Sequence, residues 1–145
     1  MNPSDEVSPG QTETLAFEIE LRHSPAKVWR ALTDPARLAE WLLPVVGYEL
    51  APGAAFKFTA EPQPGWDGVV HCRILELDEP RRLTYGWVVG DLDTVVTFTL
   101  TPTASGTRLS LVQSGFKPSQ KQASGGARYG WKMMGGKLIE LLERL

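Results

Sequence analysis

The side chains able to do chemistry in this 145-residue chain are few, and their spacing limits what they can do. Gln113 ends a stretch in which Leu109, Leu111 and Gln113 share one face, so its amide points inward among apolar neighbours. Such an amide must find hydrogen-bond partners or cost about 1–3 kcal/mol. It can bond a neighbour such as Tyr85, or it can orient a polar atom held in a cavity. His71 and Cys72 adjoin on one strand, point to opposite faces and cannot serve each other as base and nucleophile. His23 stands in a surface turn, and Glu18 and Glu20 lie on the outer face of the first strand as solvated charges. With two histidines, one cysteine, no HExxH and no paired-carboxylate spacing, the sequence offers no metal ligand set and no hydrolase constellation. No catalytic residue is assigned, and no cofactor is required.

What remains is the chemistry of apolar surfaces. Trp41, Phe56, Phe58, Tyr85, Trp87, Phe98, Trp131 and Met134 fall on inward faces of their elements, together with Gln113. Trp66 sits in the middle of a Pro- and Gly-rich loop, residues 62–68, where it can close over a cavity mouth. These ten residues are the candidate ligand-binding set. Their other use is to fill a dry core, as large aromatics commonly do.

The elements that must position them are read from periodicity. Trp131, Met134, Leu138, Leu141 or Leu142, and Leu145 recur every three or four residues, which predicts an amphipathic helix over 125–145. Its Gly135-Gly136 pair weakens a helix by about 1 kcal/mol per glycine, so it marks a close approach, a kink or space for a ligand. Upstream, Leu15, Phe17, Ile19 and Leu21 alternate along a first strand over 14–22. Ser24-Pro25 and Asp34-Pro35 then each provide an N-cap and first-turn proline, giving two short helices over 25–32 and 35–42. Strands follow over 45–50 (weakly), 55–60, 69–77, 82–89, 93–101 and 107–113, with Ala104-Ser105-Gly106 as a hairpin turn. Both alternate sets of 69–77 contain apolar residues, which a β-bulge or two-sided burial would explain. A loop over 115–124 precedes the long helix.

The implied class is α+β: six to seven antiparallel strands curved around one C-terminal helix. Residues 14–145 form a single domain of sufficient size for its own core, behind a disordered, acidic, proline-broken tail at 1–13. That tail reverses the order of a signal peptide, and a lone cysteine fits a reducing cytoplasm. Apolar residues make up 42% and charged residues 22%, with a net charge of −2, so neither a nucleic-acid partner nor membrane insertion is expected.

Several strings carry a family resemblance: HSPAKVWRALTDPARLAEWLLP at 23–44, ILELDEPRRLTYGW at 74–87, VVTFTLTPTASGTRLSLVQSGF at 95–116 and GWKMMGGKLIELLERL at 130–145. With this element order they resemble the START-like (SRPBCC) helix-grip superfamily, which includes birch-pollen-allergen-like domains. The nearest branch is that of homologues of the activator of heat-shock-protein-90 ATPase. The resemblance implies a sheet gripping the last helix around an elongated cavity for a hydrophobic small molecule, lipid- or polyketide-like. It also implies two alternatives: a cyclase or hydrolase acting on such a ligand, with Tyr85 or Gln113 orienting it, or a co-chaperone-like stress-response module. For a chaperone partner, the candidate surface is Lys117, Lys121, Arg128 and Lys132. At Gln113 the chain departs from the family string, which often has His before Ser-Gly-Phe.

Overall fold

The computed structural model describes residues 13–145. The tail read at 1–13 lies outside the described residues except for Glu13, which already belongs to the first strand. Seven strands form one antiparallel sheet: β1 (Glu13–Leu21), β2 (Val45–Val46), β3 (Ala55–Thr59), β4 (Val69–Asp78), β5 (Arg82–Val89), β6 (Leu92–Thr103) and β7 (Gly106–Phe116). Their spatial order is β1-β7-β6-β5-β4-β3-β2, so the first strand closes against the last and each other strand pairs with its sequence neighbour. Helices α1 (Pro25–Thr33) and α2 (Pro35–Trp41) fill the connection from β1 to β2. The long helix α3 (Lys121–Arg144) packs on β1, β7, α1 and α2.

Local sequence explains the joints. Ser24 and Asp34 cap α1 and α2 by accepting from the backbone N–H groups of Lys27 and Ala36. At the β6–β7 hairpin, a Cβ on Gly106 would lie 2.2 Å from the Leu21 carbonyl oxygen, and its φ is 154°. Only glycine lets the hairpin sit this close to the end of β1. The mixed facing of β4 is a bulge between Ile74 and Glu76. Val70, Cys72 and Ile74 point into the core, Leu75 is turned out to 54% exposure, and Leu77 returns half-buried.

Three boundaries differ from the sequence reading. β2 spans only Val45–Val46, because the chain leaves the sheet at Gly47, whose φ is 71°. β7 continues to Phe116, with Gly115 taking up a register shift against β1. The loop expected over 115–124 therefore shrinks to a 3-10 turn at Pro118–Gln120, and α3 starts at Lys121, four residues before the Gly-Gly pair that reads as its beginning. Gln120 fixes that start by accepting the Lys117 N–H at 2.8 Å. At the other end Leu145 lies past the last turn, 43% exposed, while both Leu141 and Leu142 are buried.

Candidate functional site

The concave face of the sheet and the inner face of α3 enclose a core interrupted by two pockets, one on each side of Trp131. The first, about 370 Å³, opens between β1 and α3. Phe17 and Ile19 from β1, Trp41, Phe98, Leu109, Leu111 and Leu138 line it, and Gly135 and Gly136 form its helix side, with Glu18, Lys132 and Ile139 at its lip. The second, about 520 Å³, opens beneath the 62–68 loop. Trp66, Trp87, Val70, Val89, Gln113, Met134 and Leu43 line it opposite a helix face of small residues, Ala123, Gly126, Ala127 and Gly130. Trp131 is a wall of both.

That wall is held by the one polar chain in the region. The Trp131 indole N–H donates to Gln113 Oε1 at 2.7 Å, Gln113 Nε2 donates to Thr94 Oγ1 at 2.9 Å, and Thr94 Oγ1 donates to the Trp87 carbonyl at 2.7 Å. Gln113 is 1% exposed. An amide offers two N–H groups and two carbonyl lone pairs, so one of each remains uncommitted on the pocket wall. The Tyr85 partner considered for Gln113 is not used: the Tyr85 hydroxyl has no hydrogen-bond partner, and the Gln113 amide bonds Trp131 and Thr94 instead. Thr94 lies on β6, between the strands of Tyr85 and Gln113. Extending the inward parity of Val96, Phe98 and Leu100 back by two residues would have found it.

The ten sequence candidates divide into three groups. Trp66, Trp87, Gln113, Trp131 and Met134 line the 520 Å³ pocket. Trp41 and Phe98 join Trp131 at the 370 Å³ pocket, edge to face at 6.4 Å, with the Trp41 indole N–H on the Ala31 carbonyl. Phe56, Phe58 and Tyr85 line neither. They form a packed aromatic cluster, with Tyr48 against Phe56 at 4.9 Å, Phe56 against Tyr85 at 5.3 Å and Phe58 against Trp87 at 5.5 Å. The inward parity of a strand identifies its core face without showing which part of that face stays open. Phe17, Ile19, Gly126 and Gly130 line pockets without standing among the sequence candidates.

Within the aromatic cluster, the Tyr48 and Tyr85 hydroxyls are buried without partners. Burial raises Tyr48 to about 12 and Cys72, also buried, to about 12. Tyr85 is pushed well above the ordinary phenol value, first by burial and then by the nearby Cys72 and Tyr48. All three groups therefore stay neutral at physiological pH, and Cys72 is an inert core thiol rather than a nucleophile. His71 lies on the opposite, exposed face of β4, as the parity of the strand requires.

The model of the family described as activator of Hsp90 ATPase homolog 1-like protein matches residues 22–143. This chain belongs to that family. Among solved structures, protein MLL2253 from Mesorhizobium loti is 41% identical, with a TM-score of 0.85 over 91% of this chain and 98% of its own. Protein CV1439 from Chromobacterium violaceum is 28% identical, with a TM-score of 0.74 over 90% and 96%. DynU16, a protein of the dynemicin biosynthetic locus, is 22% identical, and its TM-score of 0.74 spans 90% of this chain but 47% of its own, a likeness of fold. A search of the curated proteins gives no match. Within this activator of Hsp90 ATPase homolog 1-like domain, no helix among the described residues is long and apolar enough to cross a membrane.

Proposed function

We propose that this protein binds a hydrophobic or aromatic small molecule, lipid- or polyketide-like, between the sheet and α3. The observation that carries this reading is the pair of largely apolar pockets flanking Trp131, the larger with a buried amide on its wall that has hydrogen-bonding capacity to spare. Apolar walls supply affinity and one or two placed polar groups supply orientation, the usual division in small-molecule sites. A ligand of one pocket's size rests against one face of Trp131; a longer one must turn the indole and break its bond to Gln113. The binding domain is the single unit 14–145, acting in the cytoplasm.

The enzymatic alternative, a cyclase or hydrolase on the same ligand, has less support, because the Tyr85 hydroxyl is sealed in the aromatic cluster and lines neither pocket. A chaperone-facing, stress-response role rests on the family name and on Lys121, Arg128 and Lys132. Spaced by seven and four residues, these share one stripe of α3 beside Lys117. Arg128 is already paired with Glu13 at 3.8 Å.

Native mass spectrometry of the purified protein beside its denatured mass tests for a retained molecule. A thermal-shift screen against fatty acids, flavonoids and other apolar compounds then identifies the class. Binding at a hundredfold excess over Kd stabilises by about 2.7 kcal/mol, a shift of several degrees. An empty protein that no apolar compound stabilises would overturn the proposal.

A further inference from the structure

The outer face of the sheet holds a second, chemically opposite feature. At the β3–β4–β5 end the outward residues fall in register: Lys57 beside His71 beside Val88, and Ala55 beside Arg73 beside Gly86. Lys57, His71 and Arg73 are all exposed. Together with Val46, Gly47, Val88 and the small residues Ala55 and Gly86 they line a groove of about 430 Å³. Ala55 and Gly86 lower the surface on both sides of Arg73, so the trough exists because those two positions lack bulk.

Lys57 and Arg73 stand on a diagonal, with His71 directly opposite Lys57, so two cations and an imidazole share one exposed patch whose positive potential a bound anion would offset. Among the described residues no carboxylate is ion-paired with Lys57, His71 or Arg73. Asp67 and Asp91 border the adjoining hollow on the far side of His71 and Val88. Glu76, the nearest carboxylate along β4, lies beyond the bulge and is paired with Arg82 at 3.0 Å. Asp93 flanks Val88 from β6, on the far side of β5. Glu18 and Glu20 stand on β1 at the opposite edge of the sheet. The arginine is also ordered in advance: its Nη1 donates to the Gly53 carbonyl at 2.7 Å, which leaves its other N–H groups for a ligand.

We propose that this groove binds an organic phosphate, its phosphoryl group held by Arg73, Lys57 and His71 and its organic part lying against Val46 and Val88. Arginine, lysine and an imidazole N–H are suited to phosphoryl oxygens, the guanidinium through paired donors and the ammonium as a point charge. The apolar flanks and a volume well beyond one phosphate ion favour an esterified phosphate over the free ion. This site faces away from both concave pockets, so it stands whether or not an apolar ligand occupies them.

The test is titration of the ¹⁵N-labelled full chain with phenyl phosphate, and separately with inorganic phosphate, at constant ionic strength. Saturable shifts confined to residues 55–57, 71–73 and 86–88 are expected, with phenyl phosphate binding several-fold tighter than phosphate. Lys57→Gln and Arg73→Gln should each weaken binding by about tenfold, the scale of one charge-assisted contact. Arg73→Lys should restore only part, because it keeps the charge and loses the fork. Spectra superimposable on the parent outside the groove show that the variants fold; Lys57→Gln does not touch the Gly53 bond and reads the site even if Arg73→Gln disturbs that turn. Absence of saturable shifts, equal effects from sodium chloride, equal affinity for inorganic phosphate, or shifts at residues 123–134 instead would overturn the proposal.

Discussion

Replacing Gln113 with Leu tests whether the wall between the two pockets depends on its polar chain. The side chains are similar in size, so the change removes hydrogen bonding more than volume. Trp131 is 6% exposed, and its indole N–H would lose an acceptor now at 2.7 Å. Leaving a buried donor unpaired costs about 1–3 kcal/mol. Thr94 loses little, because its hydroxyl still donates to the Trp87 carbonyl. The expected loss of about 1–3 kcal/mol corresponds to a fall in Tm of roughly 4–10 °C for a domain of this size.

The assay is a double-mutant cycle by chemical denaturation: parent, Gln113→Leu, Trp131→Phe and both together. Removing both partners strands no donor, so the double variant should be more stable than the sum of the single losses, with a coupling of about 1–2 kcal/mol. The Trp131 indole N–H resonance should move and lose exchange protection in Gln113→Leu. A variant melting within about one degree of the parent, with zero coupling, would refute the reasoning. The indole would then be hydrated through an open cavity, and the two pockets would be one.

Tyr85→Phe removes a buried hydroxyl that has no partner, so thermal denaturation at pH 7 should show unchanged or higher stability, and ligand affinity should be unaffected. Alkaline pH should destabilise the fold. Cys72, Tyr48 and Tyr85 all keep their protons longer folded than unfolded, so stability is complete below pH 9. It falls as the unfolded thiol and phenols ionise, by up to about 1.4 kcal/mol per pH unit for each group, until folded Cys72 and Tyr48 titrate at about 12, while Tyr85 is held well above the ordinary phenol value by its burial. Cys72→Ala should delay the onset by about one pH unit in urea melts, since the unfolded phenols titrate next. Trp66→Ala should raise both ligand association and dissociation rates by stopped flow; unchanged rates would remove the loop as a gate.

The strand assignments are readable because five strands, β1, β3, β5, β6 and β7, have a clear inward set, and period-two alternation is hard to mistake when only one face is buried. β4 was ambiguous for a physical reason: an extra residue at its bulge inverts the parity between Ile74 and Leu77. The start of α3 was hidden by Gly125-Gly126, which reads as a boundary by propensity yet lies inside the helix, where Ser124 is buried against the core. The division of the aromatic candidates could not be read. Phe58 and Phe98 have the same parity and chemistry, and only the distance of α3 from each strand decides which borders a pocket. That distance is set by long-range contacts such as Gly135 against Ile19.

The glycines of α3 make the case for space over stability. Helix α3 holds Gly125, Gly126, Gly130, Gly135 and Gly136 in 24 residues, each costing about 1 kcal/mol relative to alanine. Four of them would accept a Cβ with nothing within 4 Å, so crowding does not require glycine there. At Gly135 the added carbon would meet only the end of the Ile19 side chain, at 3.2 Å, a contact that a flexible chain can relieve. Gly126 and Gly130 line one pocket, Gly135 and Gly136 the other, and Trp131 stands between. Gly130→Ala should therefore raise stability by about 1 kcal/mol while weakening ligand binding through lost volume. Gly125→Ala, which borders neither pocket, should stabilise to a similar degree with binding intact. Equal binding in both variants would mean that the glycines do not keep the cavity open, and the small-residue face of α3 would lose its link to the ligand.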